Sequence, residues 1–346
     1  MQRVMAMRLR LLQRPVRIVA QSNAAFSTKA PEFSDIVYGQ DTGVRTVQFN
    51  RPEKLNALTL PMAMHLTQRL HKIEANKTVN AVVFSGNGGK AFCAGGDIRA
   101  LADNGKDPAT RHGEDYVADV PKSQALKGQG LGTYLALTGE RLKGHEVIGL
   151  GLATHYLPTS EYETLVHYLT GLEFADHVPQ EQRDEMIHEA LEELETDEAF
   201  QEIDPEYLET VESVFGALND NDTMEGIFER LEKLNTEWSQ ETLATLKKMS
   251  PLSLKVTLEQ MRQGAVKTCA ECFQMEYRMA TRMMENPDFF EGVRSVVVDK
   301  DRNPKWSKRD ITKVTAKEVE AFFKPLDKDQ ELILYPSATA VTEKEE

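Results

Sequence analysis

The chain has 346 residues and a formal net charge of -14, with 40% hydrophobic and 28% charged residues, which is ordinary for a folded protein long enough for one large domain or two smaller ones. No run of about 18 apolar residues is present, so no membrane-spanning helix is predicted. The acidic balance disfavours nucleic acid as a partner, because binding phosphates requires a surplus of Lys and Arg.

The first 27 residues differ in kind from the rest of the chain. They contain no Asp or Glu, and their arginines alternate with leucines and valines. This pattern predicts a mitochondrial transit peptide over residues 1–27 and a mature protein in the mitochondrial matrix. A basic tail without a targeting role is the alternative. The arginines are Arg3, Arg8, Arg10, Arg14 and Arg17.

The next part of the chain predicts an α/β fold. Alternating apolar residues indicate a strand over Val44–Phe49, and helical spacing indicates a helix over Thr59–Glu74. The short apolar run Ala81–Ser85 predicts a buried strand, and a glycine-rich loop and a helix beginning at Ile98 follow it. Strand, helix, strand, loop and helix in this order are typical of α/β proteins.

Helices dominate the predictions further on. A short helix is expected over Glu140–Gly149, and residues 151–157 are expected to form a strand that Pro158 ends. Nearly all of the remaining chain has helical patterning. We therefore divide the chain into a core over 34–157, a helical region over 158–330 and a polar tail over 331–346.

The three cysteines, Cys93, Cys269 and Cys272, give no disulfide framework. Cys269 and Cys272 form a C-x-x-C, but no second Cys or His pair lies nearby in the sequence. We interpret both as small buried side chains and predict no metal site.

The sequence Ala94-Gly-Gly-Asp97 lies between a predicted strand and a predicted helix. Glycines allow backbone N–H groups to approach a ligand closely, and a helix N-terminus adds a positive dipole. Such a loop can hold a phosphate or the oxyanion of an acyl-transfer reaction, although a simple turn is the alternative. It is not the G-x-G-x-x-G of dinucleotide-binding folds.

Two segments resemble the paired CoA-binding signature of the crotonase superfamily. They read NRPEKLNAL at 50–58 and KAFCAGGDI at 90–98. Others, spread over most of the chain, resemble the 3-hydroxyisobutyryl-CoA hydrolase branch of that superfamily. These read YLALTGERLKG at 134–144, GLATH at 151–155, MSPLSLKVT at 249–257, MEYR at 275–278, FEGVR at 290–294 and DKDRNPKW at 299–306.

The resemblance implies an incomplete crotonase-like ββα spiral core with a mostly helical C-terminal half. It implies hydrolysis of the acyl-CoA thioester 3-hydroxyisobutyryl-CoA in valine breakdown, with no cofactor because CoA is part of the substrate. Ala94 would donate one backbone N–H to the oxyanion. The substrate-binding residues by this match are Arg51, Lys54, Ala94, Gly95, Gly96 and Asp97. Homo-oligomers are also expected, since crotonases often form them.

The resemblance fails between Ile98 and Tyr134. There the family has a block with a Gly-Gly-Gly turn, which supplies the second oxyanion N–H, and a Pro-Glu-Thr segment with the principal catalytic glutamate. This chain contains neither. Sequences at the edges would place Asp115 at a substrate contact and Asp119 at the catalytic aspartate, with solvated loop acids as the alternative. Loss of the block is expected to expose apolar faces of the strand at Ala81 and to lower activity severely.

Two functions from different classes follow. The first is a mitochondrial acyl-CoA thioester hydrolase, with the chain being a shortened isoform or an imperfect gene model of an active parent. The second is a catalytically impaired relative serving as a structural subunit, for example of the mitochondrial small ribosomal subunit. The acidic charge fits the second less well, because contact with RNA favours basic surfaces. An enoyl-CoA hydratase is disfavoured by the same missing block.

Overall fold

The computed structural model describes residues 34–104, 129–172, 178–195, 203–217, 222–328 and 330–332. The predicted transit peptide lies outside these residues, as does all of the polar tail except residues 331 and 332. The chain divides into two units after Ser34, and the fold is that of the unit beginning at Asp35.

A three-stranded sheet in the order β1-β2-β3 begins the fold. Strands β1 (Ile36–Asp41) and β2 (Val44–Phe49) form an antiparallel hairpin. Strand β3 (Ala81–Gly86) runs parallel to β2, with Ala81 opposite Val44. Helix α1 (Leu60–Glu74) makes the crossover that a parallel pair requires.

Local sequence explains these elements. Gly43 takes a φ of +71° in the hairpin turn, a conformation that glycine adopts without strain. Val47 and Phe49, which point to the same face of the strand, are 0% and 4% exposed, so one face of β2 is buried. The Thr59 hydroxyl accepts a hydrogen bond from the Met62 N–H and caps α1. The predicted strand Val44–Phe49 and the predicted helix Thr59–Glu74 are thus confirmed.

The prediction that the strand at Ala81 is buried was wrong. All of β3 is at least partly exposed, and 38% of Phe84 is accessible. Within the described residues β3 pairs only with β2, so it lacks the second neighbour that would bury it. This is the exposure expected from loss of the family block.

The rest of the described chain is mostly helical, as predicted. A π-helical turn, Arg294–Val298, follows the helix that ends at Val293. The α-helices after α1 are α2 (Ile98–Asn104), α3 (Gln129–Thr138), α4 (Gly144–Gly149), α5 (Tyr162–Gly171), α6 (Gln180–Glu192), α7 (Pro205–Phe215), α8 (Met224–Leu234), α9 (Glu237–Leu246), α10 (Pro251–Gly264), α11 (Cys269–Met283), α12 (Pro287–Val293) and α13 (Ala316–Ala321).

The main hydrophobic core lies among α3, α7, α8, α9 and α10. Its fully buried members include Val211 and Phe215 on α7 and Ile227 on α8, each 0% exposed. These residues come from the helical region, so the helices carry a core of their own rather than only covering the sheet.

Residues 151–157 do not form the predicted strand. Helix α4 begins at Gly144 rather than Glu140, and it ends at Gly149 as predicted. Gly151 then takes a φ of +74° and donates its N–H to the Ile148 carbonyl, while the Leu152 N–H bonds to the Val147 carbonyl. These N–H groups close the helix end, so they are not available to a strand.

The interpretation of the C-x-x-C as two buried residues was also wrong. Cys269 is exposed and Cys272 is partly exposed, and both are free thiols. Cys269 is the first residue of α11, directly after the Thr268 cap, where side chains face solvent.

Candidate functional site

The two segments with CoA-signature resemblance lie side by side. Leu58 and Gly96 form an isolated parallel bridge, in which the Leu58 N–H bonds to the Gly95 carbonyl and the Asp97 N–H to the Leu58 carbonyl, both at 2.8 Å. Residues about 40 positions apart in sequence are thereby fixed in one loop pair, which we call the paired loop (residues 50–58 and 87–97).

The Arg51 side chain links the two segments of the paired loop. Its guanidinium donates to the Ala57 carbonyl at 2.6 Å and to the Asp97 carboxylate at 3.1 Å, and Nε lies 3.8 Å from Asp35 Oδ2. The Arg51 side chain is only 15% exposed. Arg51, which was predicted to contact substrate, therefore uses these hydrogen-bond donors to hold the two segments together.

Asp97 forms an ion pair with Arg51 and directly precedes α2. Burial works against ionisation of its carboxyl, but hydrogen bonds from the Ala100 N–H and from Arg51 outweigh burial, so the pKa of Asp97 is lowered. The charge of Lys54 also contributes to this lowering. Asp97 is thus a structural anion whose role is to fix the loop.

Asn56 holds the paired loop together through its buried side-chain amide, and no sequence pattern had predicted this role. This side chain is 0% exposed, its Oδ1 accepts the Arg51 N–H at 2.9 Å, and its Nδ2 donates to the Asn87 and Ala91 carbonyls at 2.9 and 2.8 Å. Its φ is +58°, which asparagine tolerates better than most residues. The tolerance of asparagine for a positive φ was the only sequence signal that could have pointed to Asn56.

Ala94 and Gly96 are exposed residues of the paired loop, and no hydrogen bond uses either N–H within the part of the chain that the structure describes. Gly95 between them has a φ of +81°, and a Cβ built there would meet nothing within 4 Å. Unpaired N–H groups on exposed residues are compatible with the oxyanion role expected of Ala94, which stays a prediction.

Helix α2 adds little to this site because it has only seven residues. The exposed Lys54 supplies a positive charge instead, and no ion pair involves it among the described residues. Asp115 and Asp119 lie outside the described residues.

Membrane-spanning helices and clusters of metal ligands are both absent from the described residues. In the described ranges, no helix is both long and apolar enough to cross a membrane. No group of three or more His, Cys, Asp or Glu residues in those ranges could hold a metal ion.

Comparison with known proteins gives one family. The family model for enoyl-CoA hydratase/isomerase matches residues 44–126 and 116–323. The mitochondrial 3-hydroxyisobutyryl-CoA hydrolase of Dictyostelium discoideum is 31% identical over 89% of this chain and 95% of its own length. The human protein of that name is 33% identical over 82% and 86%.

Solved structures agree on the fold. A carnitinyl-CoA dehydratase from Mycobacterium thermoresistibile has a TM-score of 0.68 at 22% identity, covering 85% of this chain and 97% of its own. An enoyl-CoA hydratase from Rhodobacter sphaeroides has a TM-score of 0.68 at 24% identity, covering 87% and 100%. At such identities the likeness concerns the fold alone, and it confirms the predicted crotonase-like architecture.

The alignments are consistent with a missing block. The Dictyostelium alignment is 387 positions long, but 89% of 346 residues is only about 308, so in total roughly 79 positions of the alignment face a gap in this chain. The two family-model matches overlap at 116–126, inside the interval where the resemblance fails. The overlap indicates a break in the family pattern within this interval, whereas the alignment length gives only the total of the gaps.

Proposed function

Since this chain belongs to the enoyl-CoA hydratase/isomerase family, we propose that it is an acyl-CoA thioester hydrolase acting on 3-hydroxyisobutyryl-CoA. The observation that carries the proposal is that the Ala94 and Gly96 N–H groups make no hydrogen bond among the described residues, in a segment that resembles the CoA signature and that the buried Asn56 amide ties in place. Relatives that align over most of this chain are named for that reaction.

The proposed chemistry is addition of water to the thioester carbonyl carbon. The carbonyl oxygen gains negative charge in the tetrahedral intermediate, and the Ala94 N–H is expected to donate to that oxygen. Collapse of the intermediate breaks the carbon–sulfur bond, the proton from water passes to the leaving thiolate, and 3-hydroxyisobutyrate and CoA are released. A carboxylate takes up the proton of the attacking water, and Asp119 is the expected residue.

CoA binding follows from the same loop. Lys54 is exposed and can approach a CoA phosphate, whereas the overall charge of -14 repels the anionic ligand elsewhere. Asp115, Gly95 and Asp97 complete the expected contacts. No separate cofactor is required, because CoA arrives as part of the substrate.

The location and assembly belong to the same proposal. Relatives are named mitochondrial, which supports a mitochondrial protein, and the Arg-rich first 27 residues suit a transit peptide and a role in valine breakdown. Homo-oligomers are expected from the superfamily, and light scattering on the purified chain would establish the number of subunits.

The test is release of CoA thiol from 3-hydroxyisobutyryl-CoA, measured with a thiol reagent, together with CoA binding by calorimetry. Replacing Ala94 by Pro removes the N–H, and the rate should fall by about 10²–10³ while CoA still binds. Ala94→Ser keeps the N–H and should retain the wild-type rate within a few fold. A wild-type chain that binds CoA but releases no thiol would overturn the hydrolase proposal and favour a structural subunit.

A further inference from the structure

A cavity that is separate from the paired loop lies among helices α3, α4, α7 and α9. Its volume is about 520 Å³, and none of its lining residues belongs to the paired loop. Pockets for small ligands usually measure roughly 300–1,000 Å³, so the cavity is large enough for an organic molecule. Nothing in the proposed hydrolysis uses it.

Three aromatic rings form the inner wall of the cavity. Tyr134 is only 5% exposed. Its ring centroid lies 5.7 Å from that of Trp238 at an interplanar angle of 43°, and the Tyr207 ring lies 6.2 Å from Trp238 at 84°. Rings set at such different angles present π faces and edges around a shared space rather than a flat stack.

Carboxylates lie at the rim of the same cavity. The lining contains four acids, Glu140, Glu146, Asp204 and Glu241, but only two basic residues, Arg141 and His145. The lining is therefore negative even when His145 is protonated. Glu146 is fixed there, because its Oε2 accepts the Lys143 N–H at 2.6 Å.

The carboxylates and the rings are close to one another. Burial raises the pKa of the Tyr207 phenol, and Tyr134, Glu140 and Glu146 raise it further. Glu140 and Glu241 are both exposed, and neither makes an ion pair in the described ranges. Their negative charge is thus available to a ligand.

We propose that this cavity binds a small organic cation with a methylated ammonium head, such as a choline-like molecule. Aromatic faces attract cations through their quadrupole, and this attraction is the means by which aromatic cages recognise quaternary ammonium groups. The rim carboxylates add Coulomb attraction. A CoA phosphate would be repelled by the same acids, so the cavity is not a second part of the thioester site.

The chemistry of the lining specifies the head group. A bare metal ion would need a compact cluster of ligating side chains, and the described residues contain none. A quaternary ammonium has no N–H donors that would need partners on the ring side of the cavity, and its bulk suits a wall of three rings.

The test compares choline with 3,3-dimethylbutan-1-ol, a neutral molecule of the same shape, by calorimetry on the full chain without CoA. Choline should bind, and the alcohol should bind at least about tenfold more weakly because cation–π attraction is lost. Exchanging both exposed rim acids in a Glu140→Gln, Glu241→Gln variant should weaken choline binding about fivefold, as expected for partly screened charges.

Glu237→Gln is the matched control, because Glu237 lies on the same helix α9 but does not line the cavity. It should leave choline binding unchanged. Equal affinity for choline and the alcohol, no detectable choline binding, or equal losses in the control and the double variant would each overturn the proposal. Thiol release from acyl-CoA plays no part in these measurements, so failure here leaves the hydrolase proposal intact.

Discussion

Replacing Asn56 by Ala should destabilise the protein strongly, because this side chain joins the two halves of the paired loop. The change removes one acceptor and two donors at a site that is 0% exposed. The Arg51 N–H loses its partner, as do the Asn87 and Ala91 carbonyls, all of which lie within 2.9 Å of the amide in the wild type.

The size of the destabilisation depends on which of these backbone groups remain accessible to water. Asn87 is exposed, so its carbonyl can bond to solvent at little cost. The Arg51 N–H and the Ala91 carbonyl are less accessible, and each unpaired buried group costs about 1–3 kcal/mol. Alanine at a φ of +58° adds about 1 kcal/mol of backbone strain. The free energy of unfolding should therefore fall by about 3–7 kcal/mol, a large part of a typical total of ~5–15 kcal/mol.

Urea unfolding of wild type and variants measures this loss. Asn56→Gly separates its two parts, since glycine relieves the strain but not the lost hydrogen bonds, and it should be about 1 kcal/mol more stable than the alanine variant. Asn87→Ala is the control, because its Nδ2 donates to Asn50 Oδ1 at an exposed position. It should change stability by less than about 0.5 kcal/mol. If Asn56→Ala unfolded with the same midpoint and slope as Asn87→Ala, the argument from buried hydrogen bonds would be refuted.

Two further predictions concern charges of the paired loop. Lys54→Glu should weaken CoA binding by calorimetry at least about tenfold at low salt, since a charge-assisted contact becomes a repulsion, and the effect should shrink at high salt. Urea stability should fall only slightly, because Lys54 is the smallest of the contributions that lower the pKa of Asp97. Asp97→Asn should be less stable than wild type at pH 7. Because the pKa of Asp97 is lowered in the folded state, its contribution is present above the unfolded pKa of about 3.9 and is lost as pH falls through the folded pKa. Urea midpoints of the two proteins should therefore converge as the pH falls below about 4, and a constant gap would contradict the assignment.

The elements that the sequence predicted correctly are those with strong local signals. Strand β2 buries Val47 and Phe49 on one face, and α1 has both a threonine cap and a buried Met62. The Ala94–Asp97 loop was predicted from two glycines that permit close backbone approach, and its binding role stays a prediction, although no hydrogen bond among the described residues uses the Ala94 or Gly96 N–H. In each case the residues that form the element lie close together in the sequence.

The predictions that failed depend on partners distant in sequence. Residues 151–157 have the apolar content of a strand, but their N–H groups close the end of α4 instead. Burial of β3 required a neighbour on its second edge, and the described sheet has none. The prediction that Arg51 contacts substrate came from the family resemblance and stays a prediction; the structure adds that its guanidinium donates to Ala57 and Asp97. Composition and spacing do not reveal how such donors are shared.

The paired loop is self-contained, and this separates ligand binding from catalysis in this chain. Its main ties, from Asn56 to Ala91 and from Arg51 to Asp97, lie within residues 50–97, and Arg51 also pairs with Asp35 further upstream. All of these residues precede the interval where the family block is missing. Loss of that block therefore leaves the Ala94 N–H and Lys54 in place. The rate, in contrast, depends on a second oxyanion donor, which the missing block carries in the family, and on a carboxylate, for which Asp119 is the expected residue, each worth orders of magnitude. CoA affinity should thus survive even where turnover is severely reduced, and the two quantities must be measured independently.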